Sequence, residues 1–178
     1  ITQRAIELIT ENKLNTVLDL CCGSANIAIT IKKTIDFKID VYACDISQKA
    51  LAVAEDNAQR LNAQVSFVNS DLLSAFKNRY FDIIISNPPY VESHCIKGSL
   101  KYEPSLALDA GDDGLVYIDK IIQQAPGCLE DKGFLVLEMG HEHKQAVSEF
   151  IKRRKNFKVI EWIVDYSGKD RGVILEKN

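Results

Sequence analysis

LDLCCGSANIAI, residues 18–29, decides the fold. It reads as the end of a short buried strand, a tight turn around Gly23, and a helix opened by Ser24. That succession of strand, turn and helix is where a doubly wound α/β sheet binds its nucleotide.

Working outward, strand and helix patterns alternate along the whole chain. TVLDL (16–20), IDVYACD (39–45), QVSFVNS (64–70), FDIIIS (81–86) and GFLVLEM (133–139) read as strands. SANIAITIKK (24–33), SQKALAVAEDNAQRLN (47–62), GLVYIDKIIQQAPGCL (114–129) and KQAVSEFIKRR (144–154) read as helices. In the second of these, Ser47 is a natural N-cap, and Ala50, Leu51, Ala54, Asn57, Ala58 and Leu61 share one face. Such alternation implies a mostly parallel sheet with helices on both faces and ligands beyond the carboxyl ends of the strands. KVIEWIVD (158–165) and GVILEK (172–177) follow with too short a connection for a parallel crossover, so they are expected to pair antiparallel. One further stretch, from 87 to Gly114, is long and polar; irregular loops of that length in compact domains are usually functional or disordered.

The chain has 178 residues, 46% of them hydrophobic, enough for one domain with a substantial core. It holds no run of about 18 apolar residues and no signal-peptide pattern, so neither a membrane span nor export is expected, and a cytoplasmic location is. It starts at Ile1 inside an apparent helix, and its single methionine is Met139, so residues 1–178 are expected to be a fragment with sequence missing upstream. A formal net charge of −3 argues against binding nucleic acid mainly through phosphates. KRRK (152–155) is the one basic candidate, and it reads as the last turn of a helix, where cations complement the dipole. Five cysteines give no C-x-x-C pair and are expected to be free thiols. Adjacent Cys21 and Cys22 have α-carbons held about 3.8 Å apart, less than the roughly 4.4 Å minimum of an ordinary disulfide. His141 and His143 flank Glu142, but nothing at ligand spacing supports a zinc site, so no metal is expected.

The turn itself narrows the ligand. A dinucleotide fingerprint needs G-x-G-x-x-G, and the three positions here are Cys21, Gly23 and Asn26, so nicotinamide and flavin cofactors are disfavoured. The Walker phosphate loop is absent. A ligand with an amino acid and an adenosine but no phosphate, S-adenosylmethionine, demands less of the backbone. Asp19 then faces its ammonium group, and Asp45, 22 residues after Gly23, its ribose hydroxyls. Asp71, at the end of the third strand, accepts from the adenine amine, with Leu72 packing on the ring. The turn residues Cys21, Cys22, Gly23, Ser24 and Ala25, with Ile46 and Asn87, complete this candidate cofactor set.

SNPPY (86–90) ends the apolar FDIII run with a side-chain amide and two residues that cannot donate a backbone hydrogen bond. A rigid turn is the plainest reading, yet its place at a strand end opposite the ligand turn points to function.

Together, LDLCCGSANIAI, ACDIS with the following AL, A and NA, SNPPYV, YEPSLALDAGDDGL and LEMG resemble the catalytic domain of the release-factor glutamine methyltransferases, over nearly the entire chain. The resemblance implies a class I, Rossmann-like S-adenosylmethionine-dependent methyltransferase fold, a mostly parallel sheet with an antiparallel C-terminal strand. It implies methyl transfer to a glutamine side-chain amide of a peptide chain release factor, with S-adenosylhomocysteine as product, and neither nucleic acid nor membrane as partner. Asn87, Pro88, Pro89 and Tyr90 become the catalytic tetrapeptide: the Asn87 side-chain oxygen and the Pro88 carbonyl accept the two amide hydrogens, and Tyr90 stacks over the amide. Glu103 and Pro104 join Asn87, Pro88 and Tyr90 as substrate-binding residues, because Tyr-Glu-Pro (102–104) and Gly-Asp-Asp-Gly-Leu (111–115) are what point to protein glutamine. The tetrapeptide alone is shared with enzymes that methylate exocyclic base amines. A ribosomal-protein glutamine methyltransferase, a nucleobase amine methyltransferase and a binding module without catalysis are therefore the alternatives.

The family has an upstream helical domain, absent here, and the pattern Gly-x-Gly-x-Gly where this chain has Cys21, Gly23 and Ala25. Ala25 is expected to be harmless at a helix start. If Cys21 takes a positive φ, it costs on the order of a kcal/mol and weakens the cofactor site. His143 stands where the family often has glutamine, and no role is read for it.

Overall fold

The computed structural model describes residues 1–95, 98 and 108–178. Its chain order is α1 (Thr2–Asn12), β1 (Thr16–Leu20), α2 (Asn26–Thr34), β2 (Asp40–Asp45), α3 (Gln48–Arg60), β3 (Ser66–Asn69) and β4 (Phe81–Ser86). After the 87–114 stretch come α4 (Val116–Gln124), β5 (Leu129–Glu138), α5 (Lys144–Arg154), β6 (Phe157–Val164) and β7 (Asp170–Lys177). The seven strands lie in the order β3-β2-β1-β4-β5-β7-β6. β1 to β5 pair in parallel. β7 runs antiparallel to both β5 and β6, as the short connection requires.

Both faces of the sheet are covered, which is why its central strands are apolar throughout rather than alternating. Leu18, Leu20 and Ile84 point with Ile118 and Ile122 of α4 and Val147 and Ile151 of α5 into one core. Val17, Ile83 and Ile85 point the other way, into a core shared with Ala5 and Ile9 of α1, Ala28 and Ile31 of α2, and Leu51 and Ala54 of α3. The strand order reverses between β1 and β4, so the crevice at their carboxyl ends is the switch point where a fold of this kind takes its ligand.

Several sequence expectations shift in detail. Ser24 does not open the second helix: α2 begins at Asn26 with Ala25 at its N-cap, and no side chain caps it. Ser47 does cap α3, accepting from the Ala50 N–H at 3.2 Å. Leu61 falls off the buried face, 53% exposed, because the helix ends at Arg60. β3 ends at Asn69, so Asp71 lies beyond the strand rather than in it. Lys152, Arg153 and Arg154 do form the last turn of α5. Arg154 is engaged there with Asp119 of α4 at 2.7 Å, which ties the two helices together. Among the described residues, no helix is long and apolar enough to cross a membrane.

The amino-terminal ends of β1 and β4 are fastened together by Asp82. Its Oδ2 accepts from the Asn15 N–H at 2.8 Å, the Thr16 N–H at 2.8 Å and the Thr16 hydroxyl at 2.9 Å. Charged hydrogen bonds of this sort carry more than neutral ones, so Asp82→Ala is expected to lower stability by about 2 kcal/mol. Urea unfolding measures it; a midpoint unchanged from the parent would show that the carboxylate only decorates the strand entry.

Candidate active site

The turn after β1 is built from three left-handed residues. Cys21, Gly23 and Ala25 have φ of 61°, 54° and 62°. The expectation for Ala25 is thus corrected: it does not sit in the helix but at an αL N-cap, where an L side chain is strained as at Cys21. The turn is held by its surroundings. Cys22 N–H donates to the Cys44 carbonyl of β2 at 2.9 Å, and Ala25 N–H to the Cys22 carbonyl at 2.8 Å. Asn57 of α3 donates from Nδ2 to the Ser24 carbonyl at 3.1 Å. A side chain added at Gly23 would meet nothing within 4 Å, so this stretch of backbone borders open space.

Asp45 fixes the turn to the next helix. Its Oδ2 accepts from the Gly23 N–H at 2.9 Å and its Oδ1 from the Ser47 N–H at 2.8 Å. Each oxygen retains a second lone pair. Asn69, which sequence reasoning did not single out, donates from Nδ2 to the Asp45 and Ile46 carbonyls, both at 2.9 Å. The Ile46 side chain is 54% exposed. Leu72 is the reverse of its expected role: it is 6% exposed, with its side chain committed to the core. The apolar surface beside Asp45 is therefore Ile46 and not the Leu72 side chain. Asp71 is exposed.

Asp19 is fully buried. Its Oδ2 accepts from the Ala28 N–H at 2.9 Å, while Oδ1 has no partner. Burial, reinforced by the nearby charge of Asp45, pushes its carboxyl up to about 7 against the opposing Ala28 hydrogen bond. Burial likewise pushes the Cys21 thiol up to about 12, and raises Cys22 and Cys44. Cys21, Cys22 and Cys44 form no disulfide, and with their thiols raised they are packing groups rather than nucleophiles.

The register of the sheet brings the tetrapeptide to this turn. Ser86 pairs with Leu20, and its hydroxyl donates to the Leu20 carbonyl at 2.8 Å. Asn87 and Cys21 therefore leave neighbouring strand ends together. Asn87 is exposed, Pro88 buried, and Pro89 and Tyr90 half-buried. The Tyr90 hydroxyl donates to Glu138 Oε1, at the end of β5, at 3.2 Å. Burial, then the Glu138 charge, raises the Tyr90 phenol above its usual range. Beyond it, Val91 N–H donates to the Leu108 carbonyl at 2.9 Å and Ala110 N–H to the Val91 carbonyl at 3.0 Å, so both ends of the polar stretch meet beside the tetrapeptide. Glu103 and Pro104 lie outside the described residues. Glu92, His94 and Cys95 hold ligand-type atoms within 4.8 Å of one another on the surface, in a spacing the sequence reading did not flag.

The sequence and the fold have relatives. Residues 2–103 match the family described as Methyltransferase small domain. The chain is 38% identical to the release factor glutamine methyltransferase of Lactococcus lactis subsp. lactis over 98% of its own length and 67% of that protein's. It is 40% identical to the ribosomal protein uL3 glutamine methyltransferase of Xanthomonas campestris pv. campestris over 76% of its length and 45% of that protein's. Across such relatives the chain spans about two thirds of their length or less. Its fold is similar to the ribosomal protein L11 methylase of Lactobacillus delbrueckii subsp. bulgaricus, with a TM-score of 0.72 at 20% identity, covering 99% of this chain and 77% of that one.

Two outcomes follow from the strained turn and the buried acid. Cys21→Gly is expected to raise stability by about 0.5–1 kcal/mol, the left-handed strain removed exceeding the chain entropy added. Cys21→Val, β-branched at a positive φ, is expected to lower it by at least about 1 kcal/mol. Equal unfolding midpoints for the two variants would show the turn to be unstrained. For Asp19, the folded chain holds a proton between pH 3.8 and about 7 that the unfolded chain releases, so stability falls as pH rises through that window and is flat above it. Asp19→Asn should flatten that slope and be at least as stable as the parent at pH 8, read from unfolding midpoints across pH. A slope of the same size in the variant would assign it to other groups.

Proposed function

The chain belongs to the methyltransferase small domain family and, within it, to the release factor glutamine methyltransferases, and on that footing we propose that it methylates a glutamine side-chain amide in a peptide chain release factor. The observation that carries this reading is the Ser86–Leu20 pairing, which seats Asn87 beside the Cys21–Ala25 turn. S-adenosylmethionine is the methyl donor, and when bound it supplies an electrophilic methyl on a sulfonium sulfur. The residues present fit it: Gly23 leaves open backbone, Asp19 keeps a buried oxygen without a partner, and Ile46 offers an exposed apolar face. We assign Asp19, Cys21, Cys22, Gly23, Ser24, Ala25, Asp45, Ile46 and Asp71 to its site. Leu72 contributes its backbone alone.

An amide nitrogen is a poor nucleophile because its lone pair is delocalised into the carbonyl, so what the protein must provide is orientation. The Asn87 side-chain oxygen and the Pro88 carbonyl accept the two amide hydrogens and aim the nitrogen at the methyl. Pro88 and Pro89 have fixed φ, and burial of Pro88 denies the segment room to relax. Orientation of this quality removes up to roughly 7–11 kcal/mol from a bimolecular barrier. Tyr90, held through Glu138, covers the flat face of the amide and keeps water away. No group is assigned as general base, since the proton leaves readily once the nitrogen carries its new methyl. A substrate of the translation apparatus places the activity in the cytoplasm.

The similarity to a ribosomal protein uL3 glutamine methyltransferase favours a second substrate with the same chemistry. Mass spectrometry of each protein after incubation with the chain and S-adenosylmethionine distinguishes the two. A gain of one methyl on a release-factor glutamine is expected, and a gain on uL3 alone would replace the substrate. Asn87→Ala is expected to lower turnover by at least about a hundredfold, as loss of a preorganised polar group does, with S-adenosylmethionine affinity within about threefold of the parent. Calorimetric titration gives the affinity; loss of binding and turnover together would make Asn87 a cofactor-holding residue instead.

A further inference from the structure

Among the described residues, His143 is a buried polar residue with no part in the cofactor or amide contacts assigned so far. It closes the 3-10 turn His141–His143 that follows β5 and is 4% exposed, yet neither ring nitrogen has a hydrogen-bond partner. Its carboxylate neighbour Glu142 Oε1 stands 3.6 Å from Nε2, beyond hydrogen-bond length, and Glu142 Oε2 is occupied by His141 Nδ1 at 2.7 Å. The imidazole lies edge-on to the Tyr90 ring, with centroids 6.5 Å apart. Gly114 shows how tightly it is placed. A Cβ there would stand 3.0 Å from His143 Cε1 and Nε2 and 2.6 Å from the Tyr90 carbonyl oxygen. Only glycine, at φ 69°, lets the ring and the Tyr90 main chain approach the same point from two sides. A phenyl ring would fill this space without two stranded nitrogens, so packing does not account for a histidine here.

We propose that His143 is a positioning residue for the amide site. Its Nε2–H donates to the Tyr90 carbonyl when the site is engaged and fixes the carboxyl end of the tetrapeptide from behind, as the Tyr90 hydroxyl is fixed in front by Glu138. The proposal rests on the reading of Asn87–Tyr90 as the substrate-amide site. Gly114 is part of the device, because any side chain there would hold the two apart.

Three variants separate hydrogen bonding from volume: His143→Phe keeps the ring, His143→Ala removes it, and His143→Gln keeps a donor. Steady-state methylation of a release factor is expected to show kcat/KM down about tenfold in the Phe and Ala variants, the loss of one hydrogen bond, and within about threefold of the parent in the Gln variant. Affinity for S-adenosylmethionine should be the same in all. A Phe variant equal to the parent, or a Gln variant as poor as Phe, would overturn the proposal. Should the parent chain itself methylate no release factor, the substrate reading fails separately. Amide hydrogen exchange at Tyr90 to Ser93 and 108–114 then decides: faster exchange in Phe than in Gln supports the clamp, and equal exchange removes it.

Discussion

Asp45 ties three pieces of chain to one point. Its carboxylate accepts from Gly23 in the turn after β1 and from Ser47 at the head of α3, and its backbone carbonyl is held by Asn69 at the end of β3. Without that anchor, a turn with two non-glycine residues in the left-handed region would relax, because each costs about 1–2 kcal/mol relative to ordinary backbone. The strain is local and over-determined by its neighbours, which is the condition under which such conformations persist at functional sites. Burial raises Asp19 one strand away, and the charge of the same carboxylate adds to it, so Asp45 bears on both the shape of the turn and the protonation beside it.

Much of this arrangement was legible in the sequence, and the reasons are specific. Ile83, Ile84 and Ile85 form an unbroken apolar run because both faces of β4 are covered, and a run of that kind bounded by turn residues reads plainly as a central strand. The antiparallel end of the sheet follows from a connection too short for a crossover. Ser47 caps its helix because it precedes a face of small and apolar residues at helical spacing. The tetrapeptide was visible because two prolines after an apolar strand have few structural uses.

What escaped the sequence depended on backbone angles and depth. Ala25 is an ordinary helix residue by propensity, and nothing in its identity reveals a φ of 62°. Only the spacing from Cys21 and Gly23 hints at it. Leu72 follows an acid just as Ile46 does, but Leu72, at a φ of 47°, has its side chain in the core while Ile46, its carbonyl bonded by Asn69, is exposed. Which of two equivalent-looking residues is buried and which exposed is decided by such backbone angles and tertiary hydrogen bonds, and these have no local signature. Ser86 belongs to the same class: as a strand residue it is unremarked, yet its hydroxyl to Leu20 binds the two halves of the site.

Among the described residues, the buried side-chain atoms without a hydrogen bond belong to Asp19, His143, Asp119 and Arg154. The last two answer one another as an ion pair 2.7 Å apart and so are electrostatically satisfied. Asp19 and His143 remain, one behind the turn after β1 and the other behind the tetrapeptide after β4. Buried polar groups are nearly always paired in folded proteins, and leaving one unmatched costs about 1–3 kcal/mol. Two such costs, one beside the turn after β1 and the other against Tyr90, are what a chain accumulates where stability has been subordinated to binding. The rigid parts of the site, Pro88 above all, fix its geometry; the unsatisfied parts show where its partners are still to come.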